Sequence, residues 1–252
     1  MNELQRQIYP LLLTFAQLCE EHDLRYYLVG GTLLGAVRHR GFIPWDDDVD
    51  VAMPEEDYKT FLRLAASLPP HLVLESPETR EDYPLAFCKL CDRTVPFETS
   101  FAGGPCGVYI DIFPLVPSRR PDRWTRALFN LQHAAVYVLQ VRYGWQNFIP
   151  YKKRSARAVY ALLDRLPAAA VKKLRDTILR SLRAEGTGYL FSPGGAYKAD
   201  KEFYPEAWFA SRETVTFEGR AFPGPCGWHE YLSRNYGDYM TLPPESERHS
   251  GH

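Results

Sequence analysis

Few backbones can carry four aspartates in five residues, as this chain does at Asp46-Asp47-Asp48-Val49-Asp50. From Asp48 onward the aspartates alternate with apolar residues, through Val49, Asp50 and Val51 to Met53. That spacing predicts a strand with Asp48 and Asp50 on one face and Val49 turned into the core. Asp46 would share that face if the strand began early, and Asp47 would take the other. Neighbouring carboxylates repel one another unless a cation sits between them. Hard oxygen ligands suit Mg²⁺ or Mn²⁺, which bring phosphate oxygens as further ligands. The competing reading is an acidic loop that caps a helix.

Two other segments bear on that choice. Upstream, Tyr26–Val29 reads as a short strand entering Gly30-Gly31, after which Thr32 can cap a helix through about Arg38. Two glycines there let the backbone approach a ligand closely, and amides at a helix start suit phosphate. Downstream, Asp111 interrupts the apolar run Tyr109-Ile110-Asp111-Ile112-Phe113. A carboxylate flanked by isoleucines is costly unless it faces a metal, a cation or water. Asp48, Asp50 and Asp111 together make a three-carboxylate set.

The remaining pattern is mixed α/β. Leu4, Ile8, Leu11, Leu12, Phe15 and Leu18 predict an amphipathic helix over residues 2–22. Pro54 is placed to open a helix through about Leu68, and strands are expected at Val73–Glu75, Leu85–Leu90 and Val108–Phe113. From Asp122 to about Arg183 the pattern turns to long helices, before a strand at Thr214–Phe217 and a helix over Trp228–Asn235. The length of 252 residues fits a single domain, 1–252, carrying a helical insertion over 119–183.

Charge separates that insertion from the rest. Residues 119–183 hold fifteen Lys and Arg against three Asp, a net +12 in a chain whose total is −1. A cationic face of that density attracts anionic polymers or lipid headgroups, unless its charges are solvated helix faces. The run Tyr151–Arg157 lacks the interleaved aromatics of a nucleic-acid platform, so no nucleic-acid partner is expected. Five cysteines with no disulfide-framework spacing point to a reducing compartment. Cys88-Lys-Leu-Cys91 has the spacing of half a zinc site, but strand positions three apart face opposite sides. No leader-like N-terminus and no run of eighteen apolar residues are visible, so a cytoplasmic location is expected.

The run GGTLLGAVRHRGFIPWDDDVDVAM resembles the LicD family within the nucleotidyltransferase superfamily, a family that includes the fukutin-related proteins. The resemblance extends to YPLAFCKL, GVYIDIFPL and the C-terminal YLSRNYGDYMTLPP followed by Arg248-His249. It implies a nucleotidyltransferase-like mixed sheet flanked by helices. It also implies transfer of a phosphorylated alcohol, phosphocholine-like or ribitol-phosphate-like, from a nucleoside diphosphate donor to a hydroxyl of a glycan or lipid-linked glycan. Cytidine is the first base it suggests, as in CDP-choline.

Under that reading Asp48 and Asp50 hold metal at the donor pyrophosphate, and Asp111 is a further ligand or accepts the proton of the attacking hydroxyl. Gly30, Gly31 and Thr32 cradle phosphate, while Arg38, His39 and Arg40 neutralise the transferred group or the leaving nucleotide. Lys89, inside an apolar strand, matches a family lysine; a pairing with Asp92 or Glu98 would explain it structurally instead. Trp45 and Tyr109 are either stacking surfaces for a base or choline-like cation, or core residues. His249 and His252 either enter the site or belong to a loose tail. Two rivals use the same scaffold: a nucleotidylyltransferase that moves a nucleoside monophosphate to a small acceptor, and a non-catalytic binding protein.

Overall fold

The computed structural model describes residues 1–97, 103–146, 154–195 and 197–248, with the side chains of 154–157 and 247 left aside. Its frame is a mixed sheet, and the strands that make it follow the alternation of the sequence. The β1 strand spans Tyr27–Leu28, β2 Asp50–Pro54, β3 Leu72–Glu75, β4 Cys88–Asp92 and β5 Val108–Pro117. They lie in the order β1-β2-β5-β4-β3, with β2 and β5 parallel and the other neighbours antiparallel. The far end of β5 pairs with β6 (Tyr189–Phe191), which pairs with β7 (Phe203–Pro205), completing seven strands. A separate hairpin, β8 (Arg212–Phe217) and β9 (Arg220–Pro225), turns through Glu218-Gly219, both at positive φ.

The two sheet faces differ by the period of two. Val51, Cys88, Leu90, Ile110 and Ile112 turn to one side and are buried in the main core. That face is covered by α1 (Glu3–Glu21) and α3 (Glu55–Arg63). In α1 the expected stripe holds: Ile8, Leu11, Leu12, Phe15 and Cys19 are buried, while Leu4 and Leu18 pack at its margins. An Asn2–Gln5 capping box starts the helix. Asp50, Asp111 and Lys89 turn to the other face of the sheet.

Several boundaries differ from the sequence reading. Helix α2 (Gly30–His39) begins on the first glycine, so Thr32 lies inside it and does not cap it. Strand β2 begins only at Asp50; residues 46–49 are outside the ladder, so alternation does not govern where Asp46, Asp47 and Asp48 point. Helix α3 stops at Arg63 and continues as one tight turn through Ser67. Strand β4 starts at Cys88 because Leu85 and Phe87 pack away from the ladder, in a cluster with Tyr83, Val136 and Trp145.

Residues 119–183 form α4 (Arg123–Arg142), α5 (Arg154–Leu163) and α6 (Ala168–Leu182). Asp122 caps α4 through the amides of Trp124 and Thr125, at 3.0 and 2.8 Å. α4 packs along α6 through Ala135, Val138, Leu139 and Val171. Much of the basic charge here is engaged. Arg175 is only 2% exposed and donates to the carbonyls of Pro84 and Leu85. Arg142, Arg126 and Arg183 pair with Asp164, Asp200 and Glu55. Two further helices follow among the described residues, α7 (Ala199–Glu202) and α8 (Trp228–Tyr236).

Candidate active site

The ladder itself assembles the polar row. Asp50 of β2 lies opposite Asp111 of β5, and Asp111 lies opposite Lys89 of β4. Register partners share a face, so the three side chains meet across three strands on the wall of a cavity of about 1360 Å³. Lys89 Nζ donates to Asp111 Oδ1 at 2.5 Å, and both residues are buried. The pairing foreseen with Asp92 therefore does not occur; Glu98 lies outside the described residues. Lys89 Nζ also sits 3.7 Å from the centroid of the Tyr109 ring. Burial pulls the lysine down, but Asp111 and Tyr109 outweigh it and hold the ammonium above its ordinary range.

Asp46, Asp47 and Asp48 bring one carboxylate oxygen each to within 4.8 Å of one another. Asp47 thus joins the cluster it was expected to face away from, since no ladder imposes alternation there. Asp46 and Asp48 also reach Asp50 electrostatically. The Asp50 carboxyl is pushed well above the usual carboxylate range, first by burial and then by Asp48, Asp111 and Asp46, with Lys89 opposing. An all-oxygen set whose members raise one another's proton affinity is what a hard divalent cation stabilises. Among the described residues, the carboxylates close enough to share one Mg²⁺ or Mn²⁺ are Asp46, Asp47 and Asp48; the expected trio of Asp48, Asp50 and Asp111 is not gathered that closely, and Asp50 and Asp111 line the same cavity wall.

The glycine pair makes room for this cluster. A Cβ on Gly30 would lie 2.2 Å from Asp50 Oδ2, and one on Gly31 would lie 2.7 Å from Asp46 Oδ2. Gly30 also has φ +55°, a conformation that other residues adopt at a cost. Its amide donates to the Tyr231 hydroxyl at 3.1 Å. Thr32 is buried and stays off the cavity wall: its Oγ1 accepts from the Asp50 amide at 2.8 Å, fixing where β2 begins. Gln5, 1% exposed, pins the acidic loop by donating to the carbonyls of Ile43 and Asp46 at 2.9 and 2.8 Å.

A cationic, aromatic corner borders the acidic cluster. Arg38 lines the cavity and donates to His39 Nε2 and to the Tyr239 carbonyl, both at 2.9 Å. Burial, then the nearby Arg248, lowers the Arg38 pKa. Burial, then Arg38, likewise lowers His39, which favours neutral imidazole. His39 stands edge-on to Trp45, and the Arg248 guanidinium lies 5.5 Å from the Trp45 ring centroid. Trp45 and Tyr109 both line the cavity. Arg40 does not: it is exposed, ends α2 in the left-handed conformation, and its carbonyl accepts from the Glu218 amide.

Other parts of the wall were not foreseen. From α4 come His133, Tyr137 and Gln140, so the insertion is also a cavity wall; their spacing of four and three places them on one helix face. From the last third come Tyr197, Glu202, Tyr231 and Tyr236. The quoted C-terminal segment contains Tyr231 and Tyr236, while nothing in the sequence around Glu202 marks it. Cys88 faces Tyr58 in the core and Cys91 the opposite side, as strand geometry requires; Cys91 instead meets Glu75 and Cys106 within 4.8 Å. His249 and His252 lie outside the described residues.

Comparison with known proteins finds relatives of this chain. A family model described as LicD/FKTN/FKRP, nucleotidyltransferase domain, matches residues 23–140, which contain the acidic cluster, the glycine pair and Lys89. The whole chain is 30% identical, over 268 aligned positions, to lipopolysaccharide cholinephosphotransferase LicD of Haemophilus influenzae, covering 96% of that protein. Ribitol 5-phosphate transferase FKRP of Homo sapiens is 55% identical over 38 residues, 15% of this chain and 8% of that protein. An uncharacterized protein of Rickettsia prowazekii, RP689, is 44% identical over 50 residues, 20% of this chain and 19% of that protein.

Proposed function

This chain belongs to the LicD family of phosphotransferases, and on that premise we propose that it moves a phosphorylated alcohol from a CDP-activated donor to a glycan hydroxyl. The observation that supports the reading is an acidic cavity wall carrying Asp46, Asp47, Asp48, Asp50 and Asp111, with Asp50 set against Gly30 and Asp46 against Gly31 where no Cβ would fit. A phosphocholine-like or ribitol-phosphate-like group is the cargo favoured by the relatives' activities, and a glycan or lipid-linked glycan the acceptor.

Asp48 would hold Mg²⁺ or Mn²⁺ with Asp46 and Asp47 beside it, and Asp50 and Asp111 on the same wall would add ligands once donor is bound. The cation supplies Lewis-acid charge at the donor pyrophosphate. The protein's own residues do the rest. Lys89 holds Asp111 in place, and this ion pair suits Asp111 to a ligand's role better than to a proton acceptor's. Arg38, on the cavity wall, with Arg248 near it, would neutralise negative charge on the departing nucleotide. Trp45, already faced by a guanidinium, offers a stacking surface for the base. The Gly31 amide, in the first turn of α2, would meet a phosphate oxygen. A cavity of about 1360 Å³ exceeds the usual 300–1,000 Å³ of a single small-ligand site, which is consistent with donor and acceptor bound together.

Contact with an anionic membrane belongs to the same reading. Among the described residues no helix is long and apolar enough to cross a bilayer. However, Trp124, with the Arg123 guanidinium over its ring, and Leu162 are 66% and 63% exposed on the basic insertion. Exposed aromatic and aliphatic side chains among cations suit the headgroup layer. The enzyme would then work at the cytoplasmic face on a lipid-linked acceptor.

The product released distinguishes the rivals. The purified protein is supplied with CDP-choline, CDP-ribitol, CDP-glycerol or CTP, with Mg²⁺ and lipopolysaccharide or a lipid-linked glycan. Release of CMP with labelling of the glycan supports phosphotransfer. Release of pyrophosphate from CTP alone would replace the proposal with nucleotidylyl transfer.

A further inference from the structure

A second group of metal-ligand atoms stands on the same face of the sheet as the aspartates. The row that runs Asp50, Asp111, Lys89 continues to Glu75, which lies opposite Lys89 at the end of β3. Two residues further along β4, and so on the same face, is Cys91. Cys106 comes from the segment just before β5. One carboxylate oxygen of Glu75 and the two sulfurs all lie within 4.8 Å of one another, with Cys91 Sγ 3.8 Å from Glu75 Oε2. In a tetrahedral zinc site, Zn–S bonds of about 2.3 Å and Zn–O bonds of about 2.1 Å set neighbouring ligand atoms roughly 3.6–3.8 Å apart. The Glu75–Cys91 contact has that spacing, and the other two need close by roughly 1 Å at most.

The backbone brings the two cysteines together. A Cβ on Gly107 would lie 2.0 Å from the Asp92 carbonyl oxygen, so the residues that follow Cys91 and Cys106 cross in direct contact. The Val108 amide donates to the Val95 carbonyl at 3.0 Å and closes the same crossing. Arg80 holds the third ligand. Its Nη1 donates to Glu75 Oε1 at 3.1 Å and to the Gly104 carbonyl at 2.7 Å, while Nε and Nη2 grip Asp82 at 2.7 and 3.0 Å. One guanidinium thus ties the carboxylate to the Cys106 segment and leaves Oε2 turned toward the Cys91 sulfur. Metal-ligating carboxylates are held by such outer hydrogen bonds. The formal charges also balance, two thiolates and a carboxylate against a divalent cation and Arg80.

We propose that Glu75, Cys91 and Cys106 form a site for a soft divalent cation, Zn²⁺ by its chemistry, separate from the all-oxygen cluster of Asp46, Asp47 and Asp48. Thiolates select against Mg²⁺, and two sulfurs with one oxygen suit tetrahedral Zn²⁺ whose fourth position is left to water. That position faces the side of exposed Cys106, since Cys91 is buried in the sheet. The role is structural. The cation would tie β3 and β4 to the segment that enters β5. Gly104 and Pro105 of that segment line the acidic cavity, and Arg80 lies 5.2 Å from the ring centroid of Trp145 on the same wall. Zinc would therefore anchor one wall of the cavity without touching what binds in it.

The test uses the full chain, freed of metal with a chelator, kept reduced with a phosphine and titrated with Co²⁺ and then Zn²⁺. The proposal expects Co²⁺ to give the sulfur-to-metal charge-transfer absorption of thiolate ligation, and Zn²⁺ to displace it. Excess Mg²⁺ should leave the band unchanged. Cys106→Ser, a change at an exposed position, should lose the band, and Glu75→Gln should weaken Zn²⁺ binding by at least about 10-fold. Cys226→Ser should keep the band, and in Asp48→Ala it should saturate at one Co²⁺ per chain, which separates the site from another accessible thiol and from the acidic cluster. Zn²⁺ should also raise the Tm of the wild type and not that of Cys106→Ser. Fully reduced protein with no charge-transfer band overturns the proposal, and so does a band that survives in Cys106→Ser or disappears in Cys226→Ser. No step of the test measures turnover, so its failure and the failure of the phosphotransfer reading are told apart.

Discussion

Replacing Gly30 with alanine separates two roles that one glycine combines. The first cost is conformational: at φ +55° a Cβ is crowded by the backbone, which costs about 1–2 kcal/mol. In a chain of this size that lowers Tm by roughly 2–8 °C. The second cost is local. The new Cβ would stand 2.2 Å from Asp50 Oδ2, where ordinary contacts begin at 3.4 Å. Asp50 or the glycine must therefore retreat by about 1 Å, enough to cost roughly 10²-fold in turnover when a reacting group is misplaced. Gly219→Ala is the matched control, because φ there is +76° and nothing lies within 4 Å of the added Cβ. Thermal melts and initial rates with each CDP-alcohol would be measured on both variants. Both should melt earlier by similar amounts, and only Gly30→Ala should lose turnover. If Gly30→Ala keeps its rate within threefold, the contact with Asp50 is not what the glycine protects, and the carboxylate-room argument is wrong.

Three further outcomes can be checked on the same preparation. Glu202 has a folded pKa raised to about 7 from 4.5, so its stabilising contribution is full below 4.5 and is lost as pH rises through 7. Between pH 5 and 8 that amounts to roughly 2–3 kcal/mol, and denaturant melts of Glu202→Gln should be flatter with pH by about this much. Lys89→Met leaves buried Asp111 among other carboxylates without its ammonium and should destabilise by about 3–5 kcal/mol, part of it restored by Mg²⁺; a near-neutral melt in metal-free buffer would contradict that. Trp124→Ser with Leu162→Ser should weaken binding to vesicles rich in anionic lipid, and wild-type binding should fall as salt rises. Binding indifferent to both would remove the membrane surface from the account.

What could be read in the sequence divides along a physical line. Alternating and helical periodicity report burial against one's own neighbours, and so α1, the Asp111 strand and the Cys88/Cys91 divergence were legible. Periodicity is silent where no ladder exists, which is why Asp47 joins Asp46 and Asp48 from a side the alternation did not assign. Lys89 was legible as a buried cation, but its partner depends on the β4–β5 register, a long-range fact. Thr32 was expected to meet phosphate because its neighbours begin a helix; the fold turns it to the Asp50 amide instead. Glu202 was invisible, since a carboxylate ending a four-residue helix that follows Lys198 and carries Lys201 looks solvated until Gly195 and Tyr204 close on it.

The central claim is that Asp48 and its neighbouring carboxylates bind the donor pyrophosphate through a divalent metal. Titration calorimetry with CDP-choline, CDP-ribitol, CDP-glycerol and CTP, with and without Mg²⁺, on wild type and Asp48→Ala addresses it directly. The account predicts that one CDP-alcohol binds the wild type only when Mg²⁺ is present, and that Asp48→Ala abolishes the heat. Equal binding without metal, or binding unchanged in Asp48→Ala, would contradict it.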